Sequence, residues 1–300
     1  MRVLVAGARS ALGSRVTTLL KADGHQVIGL TRDPRAGQGY VVADVLDAKA
    51  TERAIDIAAP DVIVQTLNAL PKDGPKSAAD LEATGRLRVE GTRNLISAAS
   101  NAGVQRFVSE NFFFIYGSSP VGAPLMTEDD STEAGTEVTR SQDQQVRDFG
   151  GVVLRCGLFY GPGVGSTEHL VDLVRRRRAP VIRGATNKYS QLHIDDAAAA
   201  VVAAIEHGKP GAAYNIADDV PAGPQDMIRD IAQLLGLPKP LAVPGFVVRR
   251  LVNDYMSAVL AGNLTVSNAK ARSDLGWAPA YPSIHEGLKT VVPGPISSAM

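Results

Sequence analysis

Short β-branched runs alternate with helix-period segments through the first half of the chain, and that alternation limits the fold more than any other feature. The runs are Val3–Ala6, Gln26–Leu30, Val41–Ala43, Val62–Gln65, Arg106–Ser109 and Val152–Arg155. Between most of them apolar residues recur at helical spacing, as in Ala11–Ala22, Leu81–Ala102 and Ser131–Phe149. Strands separated by helices must run parallel and be covered on both faces. Right-handed crossovers then leave a doubly wound α/β sheet as the predicted architecture.

After Gly161-Pro162-Gly163 the rhythm changes. Helical stretches are expected near 167–178, 195–207, 224–236 and 245–262, with a short apolar piece at Ala213–Ile216. The expected division is a sheet domain over 1–160, to which elements of 190–216 return, and a smaller, mostly helical C-terminal lobe over 161–189 and 217–300. Pro293–Ser298 reads as a loose tail.

Composition narrows the function classes. Lysine plus arginine equals aspartate plus glutamate, 31 each, so no global field recruits nucleic acid or an anionic membrane. The longest apolar run, Ala197–Ile205, is far short of the roughly 20 residues that span a bilayer. The single cysteine, Cys156, excludes internal disulfides and thiolate metal clusters. Met1 leads straight into a strand without the charged leader and apolar stretch of a signal peptide. These features predict a cytoplasmic protein, without a metal, that handles a small molecule.

The sharpest local motif is Val3-Leu4-Val5-Ala6-Gly7-Ala8-Arg9-Ser10-Ala11-Leu12-Gly13. Gly7 leaves the strand, Gly13 follows six residues later, and a helix opens between them, so free N–H groups converge where a diphosphate can sit. Gly7 permits the tight turn and Gly13 close helix packing. Ser10 stands at the middle-glycine position; its hydroxyl and N–H remain able to donate to a ligand oxygen.

With further motifs the chain resembles an extended short-chain dehydrogenase/reductase of the NAD-dependent epimerase/dehydratase superfamily, a Rossmann fold. The matches are Asp44-Val45, Val89-Glu90-Gly91-Thr92-Arg93-Asn94-Leu95, Ile115-Tyr116-Gly117, Leu154-Arg155, Tyr160-Gly161-Pro162-Gly163, His193-Ile194-Asp195-Asp196, Ala213-Tyr214-Asn215-Ile216 and Leu275-Gly276-Trp277-Ala278-Pro279. The resemblance implies a dinucleotide held by Gly7, Arg9, Ser10, Leu12 and Gly13, with Asp44 and Val45 flanking adenine and Leu67 and Asn68 near the adenosine ribose. NAD-selective relatives place a carboxylate where Thr31 stands. Arg32 follows and suits a 2′-phosphate, with Arg9 as a second contact, so NADP(H) is expected. The alternative is NAD(H), with Asp33 on the ribose and both arginines solvated. The resemblance also implies a homodimer through the helices near 81–102 and 131–149, which otherwise read as ordinary surface helices.

Redox relatives use a tyrosine and a lysine four residues apart on one helix. Aligned on Ser141, those positions are Val138 and Gln142. Counting back from Ile115-Tyr116-Gly117 puts Phe112, Phe113 and Phe114 where relatives carry a hydroxyl and, in dehydratases, an acid. Three phenyl rings move no proton. The remaining polar candidates are Glu110, as an acid or base or as a structural partner of an arginine; Asn111, orienting a ligand carbonyl; and Tyr116, at the cleft mouth or packed beneath the cofactor. Tyr160 and His193 complete the expected substrate pocket with the three phenylalanines, although His193 also reads as a helix cap. Arg175–Arg178 end a helix, either as solvated charges or as an anion site. Two functions remain. One is an NADP(H)-binding enzyme with a tyrosine-free site, performing reduction, isomerisation, cyclisation or elimination on a small organic substrate. The other is a non-catalytic dinucleotide-binding regulator that senses redox state.

Overall fold

The computed structural model describes residues 1–71, 73–247, 260 and 262–292. Seven strands form one parallel sheet: β1 (Arg2–Ala6), β2 (Gln26–Thr31), β3 (Tyr40–Val42), β4 (Val62–Gln65), β5 (Arg106–Phe112), β6 (Val152–Cys156) and β10 (Ala213–Ile216). Their spatial order is β10-β6-β5-β4-β1-β2-β3. The chain winds outward from β1 to β3 and then crosses to β4, so the order reverses between β1 and β4. Open α/β sheets bind ligands at the carboxyl end of such a reversal.

The strands are apolar throughout because both faces are covered. Val3 and Val5 point to one face, against Leu12, Val16 and Leu20 of α1 (Ala11–Ala22) and the alanine-rich side of α7 (Ile194–His207). Leu4 and Ala6 point to the other, against Ala54 and Ile55 of α2 (Ala48–Ala58) and Leu95 and Ala98 of α4 (Thr92–Asn101). Full burial of each such valine or leucine contributes about 1.5–3 kcal/mol.

Several boundaries differ from the sequence reading, each for a physical reason. Strand β5 runs three residues beyond Ser109, because β6 keeps pairing it through Glu110–Leu154, Asn111–Arg155 and Phe112–Cys156. Leu81–Ala102 is not one helix: α3 (Glu82–Arg86) passes into a π-helical turn, Leu87–Gly91, before α4 begins. The helix expected from Ser131 starts later, as α5 (Glu137–Asp148), where the Thr136 side chain accepts from Thr139 N–H and caps it. Helix α6 (Gly165–Arg175) stops before the remaining arginines.

A second core gathers Tyr160, Val171, Val174, Val181, Ile228, Ile231, Ile284 and Leu288. It lies around β7 (Leu158–Tyr160), β8 (Val181–Ile182), α6 and α8 (Pro224–Leu234), with β9 (Gln191–His193) beside β7 and β11 (Ala242–Val243) beside β8. Not all of the chain after residue 217 belongs to it. Ala271 and Leu275 of α9 (Ala269–Leu275), with Trp277, are buried in the core of the main sheet. The Trp277 indole N–H donates to the Asp196 carbonyl at 3.1 Å, which ties this segment to α7. Most of the helix expected at 245–262, and the tail from 293, lie outside the described residues.

Candidate functional site

The turn after β1 is built by mutual hydrogen bonding. Gly7 sits at φ +95°, in the left-handed region that favours glycine. Ser10 N–H donates to Gly7 O at 2.8 Å, and Ser10 Oγ accepts from Gly13 N–H at 2.9 Å as the N-cap of α1. Both groups are thus engaged within the protein, the hydroxyl also donating to Thr66 O at 3.4 Å, while Ser10 still lines the groove described next. A Cβ on Gly13 would lie 2.1 Å from Gly7 O, so only glycine lets the helix approach this closely. The N–H groups of Ala11 and Leu12 open the helix without intrahelical acceptors and add the positive end of its dipole. The Leu12 side chain, expected near the dinucleotide, is buried in the core against the sheet.

Beyond this turn runs a groove of ≈ 270 Å³, whose walls include Gly7, Arg9, Ser10, Thr31, Arg32, Val45, Leu67 and Asn68. Leu30, Ala43 and Leu87 also line it; the sequence reading missed them because they look like ordinary core. Asp44 lies beside the groove, exposed, its carboxylate accepting from Leu46 N–H at 3.0 Å. Arg9 reaches Asp33 at 2.8 Å, and Arg35 also donates to that carboxylate. The backbone hydrogen bond from Arg35, then the one from Arg9, hold the Asp33 carboxyl below its usual range. Arg32 lines the groove and forms no ion pair among the described residues.

The carboxyl end of β5 is organised by a residue the sequence reading overlooked. Arg88, 2% exposed on the π-helical turn, donates to both Glu110 carboxylate oxygens at 3.0 and 3.1 Å and to Gln142 Oε1 at 2.7 Å. Gln142 Nε2 in turn donates to Ser109 Oγ at 2.9 Å and Glu110 O at 3.0 Å. Asn111 donates from Nδ2 to Thr139 O at 2.9 Å, and its Oδ1 accepts from Phe112 N–H and Arg88. Glu110 and Asn111 are 4% and 0% exposed. Neither reaches the cleft mouth; of the two readings of Glu110, the geometry matches the arginine partner.

Tyr116 is also interior. Its hydroxyl donates to Asn215 Oδ1 at 2.8 Å and accepts from Arg155 at 2.7 Å, while burial pushes the phenol up. Arg155 in turn pairs with Asp143 at 2.9 Å. Tyr160 and His193, expected in a substrate pocket, are both 0% exposed. The Tyr160 hydroxyl donates to Asp218, and His193 caps α7 by accepting from Asp195 N–H. Burial lowers the His193 pKa, and it raises the Cys156 thiol well above its usual value, which disfavours the reactive thiolate. The three phenylalanines divide: Phe113 is fully buried, whereas Phe112 and Phe114 are half-buried. Arg175–Arg178 are exposed, and Arg176 pairs with Asp172 at 2.9 Å. The plain helix-end reading suffices for them.

A family model described as the NAD dependent epimerase/dehydratase family matches residues 3–217. This chain belongs to that family. Among curated relatives, a Streptomyces 3-diazoavenalumate denitrifying reductase is 37% identical over 307 residues, covering 96% of this chain and 99% of the relative. A 3-beta-hydroxysteroid dehydrogenase of Mycolicibacterium neoaurum is 26% identical over 322 residues, covering 93% and 86%. Among solved structures, a dTDP-glucose 4,6-dehydratase double mutant from Streptomyces venezuelae, determined with NAD, superposes at a TM-score of 0.79 with 22% identity, covering 97% of this chain and 96% of that one. Human epimerase family protein SDR39U1, determined with NADPH, gives 0.75 with 21% identity, covering 97% and 99%. In this member of the family, the open groove and the buried Arg88 cluster therefore occupy adjacent parts of one doubly wound sheet. No helix among the described residues is long and apolar enough to cross a membrane.

Proposed function

We propose that this chain is an NADP(H)-dependent reductase that works without a protein proton donor. The observation that carries the reading is the fate of the polar groups around β5 and α5. Ser109, Glu110, Asn111 and Gln142 are buried and spent on one another, on Arg88 or on backbone. An enzyme so arranged suits an acceptor whose reduction is completed by a departing group rather than by an added proton. The diazo compound in the name of the Streptomyces relative supports this choice.

The groove fits a dinucleotide: Ala11 and Leu12 N–H would receive the diphosphate, Val45 and Leu67 would flank the adenosine, and Arg32 would take a 2′-phosphate. Bound there, NADPH would supply a hydride, the reductant that replacing R–N₂⁺ by R–H with release of N₂ requires, and atoms and charges would balance without an added proton. The chain's residues orient the reactants and exclude water. A cytoplasmic location, and self-association through the exposed sides of α4 and α5, complete the reading; a monomeric sedimentation mass at micromolar concentration removes the latter.

The test is NADPH consumption with diazo, keto and enone compounds, alongside N₂ release. Diazo turnover at one N₂ per NADPH is expected. Faster carbonyl reduction overturns the donor-free reading, and binding without consumption favours the regulator. Arg32→Ala should lower the NADPH over NADH preference by about tenfold or more, the scale of a lost charge-assisted hydrogen bond. An unchanged ratio removes the assignment to NADP(H).

A further inference from the structure

Four of the chain's seven phenylalanines collect at the carboxyl ends of β5 and β7. Phe113 and Tyr189 form the buried layer, with ring centroids 6.3 Å apart. Phe114 packs against both, and Phe112 lies 6.4 Å from Phe114 and 6.1 Å from Phe159; these three rings are all half-buried. Phe112 cannot swing aside freely. The Arg88 guanidinium covers its ring at 4.5 Å and is itself fixed by Glu110 and Gln142. Leu87, the residue before Arg88, lines the dinucleotide groove, so the rings and the groove are neighbours.

We propose that Phe112, Phe114 and Phe159 form the subsite for a planar aromatic ring of the substrate. This rests on reading the cleft as the acceptor side of a hydride-transfer site. The three rings carry no hydrogen-bond donor or acceptor, so a sugar hydroxyl laid on them would lose its water partners without replacement. A flat arene loses nothing polar and gains offset or edge-on contact with rings already fixed in place. An aliphatic ring of the same size gains burial but not that contact.

The probes are 2-naphthol and decahydro-2-naphthol, which share a carbon skeleton and differ in flatness and aromaticity. Each is titrated calorimetrically into the full chain saturated with NADP⁺. The aromatic probe is expected to bind about threefold to tenfold more tightly. Phe112→Leu and Phe159→Leu should erase that preference with NADP⁺ affinity unchanged, whereas Phe112→Tyr, which keeps the ring, should retain it. Equal binding of the two probes, binding of neither, or a preference that survives both leucine variants overturns the subsite. Because the readout needs no turnover, a persistent preference in a chain that consumes no NADPH leaves the subsite standing and removes the reductase reading. Diazo turnover without a preference does the reverse.

Discussion

The two ends of the sheet's carboxyl edge have been treated in opposite ways. Around β1 and β2, Gly7, Arg9 and Ser10 of the turn line an open groove together with Arg32, which forms no ion pair among the described residues. Around β5 and α5, polar side chains are equally dense, yet Arg88, Glu110, Asn111 and Gln142 face each other at 4% exposure or less. The first arrangement is suited to a ligand; the second supplies its own ligands. Polar residues near a cleft therefore do not by themselves mark chemistry, because a closed network and an open one can carry the same residue types.

The largest effect should come from opening the closed end. Arg88→Ala or Glu110→Ala leaves a buried charge without its partner and should cost about 3–5 kcal/mol in urea unfolding, while Arg88→Met combined with Glu110→Leu should cost little or stabilise. Single-variant losses below about 1 kcal/mol would break the contrast. Asp218 provides the next comparison, because it is a buried carboxylate whose hydrogen-bond donors, the Tyr160 hydroxyl and His193 N–H, are neutral. Burial raises its pKa from 3.8 to about 7. The folded state then holds the proton more tightly than the unfolded one, so this contribution is full below the unfolded value and is lost as pH rises toward 7. Asp218→Asn should gain stability relative to the parent by roughly 2–4 kcal/mol between acidic and mildly alkaline pH. Parallel melting curves across that range, with no change in the gap, would refute it. The smallest effect belongs to the open end: Ser10→Ala removes a helix cap and should cost about 1 kcal/mol. NADPH affinity should be nearly unchanged, because the hydroxyl is turned to Gly13; a tenfold loss would show that it serves the ligand after all.

Legibility in the sequence followed the range of the interactions. The strand–glycine–helix turn and the alternating elements depend on neighbours a few residues apart, and they emerged with nearly correct bounds. The network depends on partners 22 and 54 residues from Arg88, which no local pattern encodes. Arg88 sits in Leu87-Arg88-Val89, which reads as one more helical surface, and its burial follows from the π-helical turn. Gln142 was visible only as a missing lysine, although the folded chain uses its amide from both ends. Glu110 reads in the sequence as an arginine's partner, but no local pattern says which arginine.

The π-helical turn at Leu87–Gly91 sets a restriction on how this chain can change by descent. Such a turn holds one residue more than the helix around it. Deleting Val89, Glu90 or Gly91 restores ordinary winding and rotates Arg88 by about 100° relative to the helix that follows, withdrawing it from Glu110 and Gln142 together. A codon lost at that point would be felt as both partnerships broken at once. Substitutions can tune the cluster one contact at a time; a change of length can only abolish it.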